Sequence, residues 1–109
     1  MTARLPASLE AAAIRRKAES QGGFATVIRS GDPDSGVILL VIIERGQYLS
    51  CARREWADGE YRWTRAGPTE PSELDDFLAR QRRFDPDLWL IELDVPQGER
   101  FIVDLSAID

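Results

Sequence analysis

The longest apolar run in the chain is Val37-Ile38-Leu39-Leu40-Val41-Ile42-Ile43. Seven consecutive apolar residues, most of them β-branched, predict a strand over 37–43 that is buried on both faces. Such a strand is central, with a covering layer on each side or a partner subunit. Leu88-Trp89-Leu90-Ile91-Glu92-Leu93 predicts a second largely apolar strand over 88–94. Phe24 to Arg29 suits a third, since its residues pack well on a pleated surface. Between them, Ser30-Gly31-Asp32-Pro33-Asp34-Ser35-Gly36 is a loop by local chemistry: Pro33 fixes φ and the Asp side chains bond nearby backbone. Arg45-Gly46 and, more strongly, Asp58-Gly59 carry the hairpin signal of residues that accept positive φ. They return the chain as strands over 47–55 and 61–65. The reading is a four-strand meander from 24 to 65.

Two segments have helical patterning. Residues 8–20 contain good helix formers, a capping candidate in Ser8, and the stop signal Gly22-Gly23, although the apolar stripe is thin. Residues 73–83 place Leu74, Phe77, Leu78 and Gln81 along one face. Ser72-Glu73-Leu74-Asp75 fits a capping box with Asp75 in place of Glu, acidic groups open the helix and arginines close it. Pro86 forbids continuation. Phe101, Ile102 and Val103 fit either a short edge strand or a final helical turn. The expected architecture is α+β: a mainly antiparallel sheet of about five strands with two helices, in one domain over 1–109. Whether strand 88–94 joins parallel or antiparallel stays open.

Composition narrows the chemistry. The chain has 109 residues, 43% of them apolar, which supports one hydrophobic core and leaves little for a second. It contains no histidine, which removes imidazole bases, histidine-dependent triads and histidine-ligated zinc. The single Cys51 removes intramolecular disulfides and thiolate metal clusters and fits a reducing compartment. No cofactor is expected. The net charge is -5, from 19 acidic and 14 basic residues, so general DNA binding by phosphate neutralisation is not expected. Residues 1–30 reverse the balance, with five basic and two acidic groups. The N-terminal segment lacks the apolar core of a secretory signal, and the 37–43 run is too short to span a bilayer. A cytoplasmic location without membrane association is the expectation.

Two constellations carry possible chemistry. Asp32, Asp34, Asp85 and Asp87 belong to twin Asp-Pro-Asp segments. If all four carboxylates converge, they present oxygen ligands for magnesium or calcium, and through a metal-activated water a small phosphoester or nucleotide-processing activity. The competing reading is two ordinary turns. Around the second hairpin, Arg53, Arg54, Arg62 and Arg65 interleave with Tyr48, Trp56, Tyr61 and Trp63. Tyr48, Arg53, Arg54, Trp56, Arg62, Trp63 and Arg65 form the candidate binding surface. Guanidinium and indole groups on one sheet face suit a protein partner, or a nucleotide or RNA gripped by arginine and stacked on aromatics. The competing reading packs the tryptophans in the core and leaves the arginine heads in solvent. Cys51, mid-strand and without an activating base, reads as structural.

Ala3-Arg4-Leu5-Pro6, Ile14-Arg15-Arg16, Gly22-Gly23-Phe24-Ala25, Gly31-Asp32-Pro33-Asp34-Ser35-Gly36, Arg62-Trp63 and Asp85-Pro86-Asp87-Leu88-Trp89-Leu90-Ile91-Glu92-Leu93-Asp94 together resemble a family of short alphaproteobacterial proteins, domain of unknown function 1491. The likeness runs over nearly the whole chain, and the last motif is its most distinctive part. It implies a bacterial, cytosolic, stand-alone domain. It carries no activity, cofactor or catalytic residue. The expected function is therefore a non-enzymatic binding or accessory protein working through protein contacts, with a homodimer among the expected partners.

Overall fold

The computed structural model describes residues 5–108; the side chains of residues 56, 57 and 106–108 lie outside the described part. The chain runs α1 (Ala7–Ser20), β1 (Phe24–Arg29), β2 (Ile38–Glu44), β3 (Gln47–Ala57), β4 (Glu60–Ala66), a 3-10 turn (Pro71–Glu73), α2 (Leu74–Phe84), β5 (Trp89–Asp94) and α3 (Gly98–Ile108). The five strands form one sheet in the order β1-β5-β2-β3-β4.

Three expectations need correction. First, there are three helices, not two. Residues 98–108 are helical because Phe101 and Leu105, four apart, share one buried stripe with Ile102 packed beside it, while Val103 is exposed. Second, the meander covers only β2, β3 and β4. β5 sits between β1 and β2, antiparallel to β1 and parallel to β2. Third, α2 begins after a 3-10 turn at Pro71 and has no side-chain hydrogen bond at its N-cap, so the capping box does not form. Ser8 does not cap α1 either; the helix starts at Ala7 behind Pro6. Both hairpins are two-residue turns with positive φ, Arg45 and Gly46 in one and Asp58 and Gly59 in the other.

β2 is apolar on both sides because both sides are covered. Ile38, Leu40 and Ile42 join Trp89, Ile91 and Leu93 of β5 against α1 and α3. Leu39, Val41, Cys51, Leu88 and Leu90 form the opposite cluster under Leu74, Phe77 and Leu78 of α2. The first helix needs only a thin stripe. Ala7, Ala11 and Ala18 are small and buried, and Ile14 is its one large core residue.

The link from β1 to β2 crosses the start of β5. Asp32 N–H donates to the Asp87 carbonyl at 3.0 Å, and the Trp89 indole N–H donates to the Asp32 carbonyl at 2.7 Å. The two backbones touch so closely that a Cβ on Gly31 would stand 1.9 Å from the Asp87 carbonyl oxygen, and one on Gly36 2.6 Å from it. Only glycine fits that crossing.

Candidate functional site

β3 outruns its neighbour. Its pairing with β2 ends at Leu39 opposite Arg53, whereas its pairing with β4 continues to Ala57 opposite Glu60. Residues 54–63 therefore form a two-stranded ribbon beyond the edge of β2. Most of the aromatic and arginine residues read from the sequence lie on this ribbon or at its root.

They do not share one surface. Side chains alternate along a strand, so neighbours take opposite faces. Arg54 and its cross-strand partner Trp63 lie on the face of α1 and α3, as does Arg65 opposite Ala52. Arg53 lies on the α2 face, where its guanidinium donates to Gln81 Oε1 at 2.6 Å. Arg62, opposite Glu55, takes the same face. Tyr48 is there too, at the far end of β3. Trp56 pairs through its backbone with Tyr61, and its side chain is outside the described residues.

Arg54 is a correction to the expected binding surface, because it is only 5% exposed. Its Nε lies 3.6 Å from Oε2 of Glu10, itself buried on α1. Its guanidinium also lies over the rings of Tyr61 and Trp63, with 5.5 Å to each centroid. A buried charge is tolerated only when paired, so this arrangement ties α1 to the root of the ribbon. Glu10 was not legible as its partner. Nothing in an Ala-rich helix marks one glutamate as inward-facing until the sheet is in place. Trp63 is half-buried against the core. Trp89 is buried and bonded to Asp32, and Trp63 carries the Arg54 guanidinium over its ring. The accessible cations are Arg62, paired with Asp58 and Glu60, and Arg65, paired with Glu99 of α3.

Tyr48 and Cys51 are framework. The Tyr48 hydroxyl donates to the Pro68 carbonyl at 2.6 Å and sits 3.6 Å from Cys51 Sγ. Burial, reinforced by the thiol, pushes the Tyr48 phenol well above its ordinary range. Burial also pushes the Cys51 thiol up, against the smaller opposing effect of the phenol. A thiol that resists ionisation is a poor nucleophile, in keeping with the structural reading.

The two Asp-Pro-Asp loops meet, but through backbone. Asp32 turns its carboxylate onto its own loop, accepting from the N–H groups of Asp34 and Ser35, each at 2.9 Å, and from the Ser35 hydroxyl. These bonds, with that from Ser35 N–H the largest contribution, hold its pKa below the ordinary carboxylate value. Asp85 likewise accepts from Asp87 N–H. Among the described residues, no group of three carboxylate or thiol side chains is placed to hold a metal ion. Asp32 and Asp85 thus act in their turns through their carboxylates, and Asp34 and Asp87 through their backbone N–H groups. A cleft of about 460 Å³ opens elsewhere, between Gly67-Pro68 and α2, lined by Glu73, Asp76, Phe77 and Arg80. Sequence patterning did not mark it, because its walls come from a linker and a helix.

No helix among the described residues is long and apolar enough to cross a membrane. None of the curated proteins matches the chain. Solved structures do. The solution structure of protein Atu0922 from A. tumefaciens is 25% identical, covers 92% of this chain and 93% of its own, and superimposes with a TM-score of 0.78. The crystal structure of a DUF1491 family protein from Caulobacter crescentus is 31% identical over 89% of this chain and 92% of its own, with a TM-score of 0.75. An NMR structure of a DUF1491 family protein from the same organism is 32% identical over 93% and 94%, with a TM-score of 0.77. The family model described as "Protein of unknown function (DUF1491)" matches residues 5–103, and the chain belongs to that family.

Proposed function

We propose that the protein is a non-enzymatic binding or accessory protein whose working surface is the β3–β4 ribbon. The observation that carries this reading is the shape and anchoring of that ribbon. An isolated two-stranded hairpin is marginal in water. This one extends past β2 and is held at its root by the buried Arg54, with Glu10 on one side and Tyr61 and Trp63 on another. A rigid root beneath an accessible, charged tip suits recognition better than catalysis.

The residues read from the sequence then divide their work. Tyr48, Arg54 and Trp63 maintain the frame. Arg62, on the α2 face of the ribbon, supplies the cationic contact by exchanging its solvent-exposed pairs with Asp58 and Glu60 for a group on the partner. A partner of this ribbon carries acidic or hydrogen-bond-accepting groups flanked by apolar surface.

Affinity capture from host lysate tests this, with wild type, Arg62→Glu and Trp63→Ala as baits after each is shown to be folded. The expected result is one stoichiometric protein partner, retained by wild type and lost with the charge reversal. A wild-type bait that captures nothing above background overturns the reading, as does a partner held equally by Arg62→Glu.

A further inference from the structure

At the other edge of the sheet, β1 has β5 on one side and, among the described residues, no strand on the other. Exposed edges are ordinarily guarded by charge, proline or brevity, because an unpaired strand templates pairing. Residues 24–28 carry no charge and no proline, and the one guard is the bulge between Val27 and Arg29. Phe24 is 70% exposed and Ile28 52%. Phe24 and Thr26 lie on the α2 face, opposite Asp94 and Glu92 of β5. The apolar cluster beneath α2 includes no residue of β1, so this strip lacks a cover from the described residues.

We infer that β1 is a self-association edge, and that its occupant is β1 of a second copy of this chain, paired antiparallel about a two-fold axis at Thr26. The strand is self-complementary in that register. Phe24 of each copy meets Ile28 of the other, Ala25 meets Val27, and Thr26 meets its own symmetry mate. Aromatic–β-branched and Thr–Thr pairs are among the favourable cross-strand neighbours. Antiparallel pairing about such an axis keeps like faces together, so both exposed strips lie on one side of a continuous ten-stranded sheet.

Charge completes the match. Arg29 has no ion-pair partner among the described residues, and neither do Glu92 and Asp94. The bulge sets Ile28 and Arg29 together opposite Leu90, whose side chain belongs to the α2-side cluster. In the dimer Arg29 stands opposite Gly23 of the other copy, one position along from the row of Ile28, Phe24 and Asp94, so it reaches Asp94 diagonally, past Gly23 and beside the Phe24 ring. The Asp94 of that copy is then two strands away, about 10 Å between backbones, a gap that an arginine and an aspartate side chain span together. The two-fold makes this contact twice. The charges of β4, by contrast, are answered within the chain, Arg62 by Glu60 and Arg65 by Glu99, so none is left to complete a two-fold match there.

This inference rests on the protein-contact reading but uses the opposite edge of the sheet, so the two fail separately. Sedimentation equilibrium of the full chain at low and high salt tests it, with Thr26→Lys, Arg29→Glu, Asp94→Arg and the double charge swap. Circular dichroism confirms that each is folded. Wild type is expected to form a dimer that weakens with salt. Thr26→Lys, which sets two ammonium groups on the axis, is expected to weaken it at least about tenfold, and each charge reversal by about threefold to tenfold. The double swap is expected to restore affinity, which a merely structural role for either residue does not predict. A wild type that stays monomeric at low salt and high concentration overturns the inference. So does a dimer that Thr26→Lys leaves intact, or one lost equally with Arg62→Glu on the ribbon. If the wild type is monomeric and Thr26→Lys instead abolishes capture of a different protein, the edge takes a heterologous strand and the second-copy assignment is wrong.

Discussion

The two edge strands differ in almost every respect. β4 carries Glu60, Arg62 and Arg65, each with an ion-pair partner, and half-buries Trp63 on one face. β1 carries only Arg29, at its end, and leaves Phe24 and Ile28 in solvent. The β4 edge guards itself with charge, as edges generally do. The β1 edge relies on a single bulge. Both strands are short and both are rich in sheet-forming residues, so propensity does not distinguish them. What distinguishes them is where the charged groups fall and whether those groups have been answered within the chain. Beneath the guarded edge lies the one buried arginine among the described residues, Arg54. The edge that looks most polar in sequence is thus tied most firmly to the core.

That contrast makes graded predictions. The largest effect belongs to Arg54→Ala, which strands Glu10 in the interior and removes the cation from two rings. Urea unfolding is expected to show a loss of about 3–5 kcal/mol, with much of it recovered when Glu10→Met accompanies Arg54→Met. A loss below about 1 kcal/mol instead equates the pair with an exposed one and dissolves the contrast. Next comes Gly31→Ala, at the crossing that feeds β1 away from β2. The added methyl meets carbonyl backbone rather than a movable side chain, and a loss of about 2–4 kcal/mol is expected in the same measurement.

Trp63→Ala is expected to cost about 2 kcal/mol, roughly half of a fully buried tryptophan, since the residue is only partly buried against the core. Arg62→Ala removes only exposed ion pairs at the ribbon tip and is expected to shift stability by no more than about 0.5 kcal/mol. The smallest effect is confined to acid. The Asp32 carboxyl has its folded-state pKa lowered, so its contribution is present above the ordinary value of 3.8 and is lost as pH falls through the folded value. The difference in melting temperature between wild type and Asp32→Asn is therefore expected to be widest near neutral pH and to close below 3.8. A gap that widens on acidification reverses the sign and removes the proposed role of the Ser35 and Asp34 N–H groups.

Much of the local structure was legible. The seven-residue apolar run marked a central strand because burial on both faces leaves no position for a polar residue. The Asp58-Gly59 and Arg45-Gly46 pairs marked their hairpins because positive φ is a property of single residues. Helix α3 was ambiguous for a local reason: Phe101-Ile102-Val103 is three apolar residues in a row, and a run that short fits period 2 or period 3.6 equally. Leu105, four residues after Phe101, decides the matter only if its burial is known. The candidate binding surface was legible as a list of side chains and illegible as a surface. Alternation along β3 and β4 splits Arg53 from Arg54 and Arg62 from Trp63, and only the packing of α1 on one face and α2 on the other decides which of them meets solvent.

By itself the sequence determined the five strands and the first two helices, their places along the chain, the absence of imidazole and intramolecular disulfide chemistry, and the turn character of the aspartate segments. Each follows from composition or from interactions within a few residues. Tertiary structure alone decided that β5 enters between β1 and β2, that Arg54 and Glu10 meet in the interior, and that the aspartate loops touch through backbone while the Asp32 and Asp85 carboxylates serve their own turns. Those outcomes depend on contacts between segments dozens of residues apart. β2 is apolar at every position but its last, and β5 at its first three, so either face and either neighbour satisfies the local pattern there. The choice among them is made by which helices remain to cover the faces once every strand has a partner.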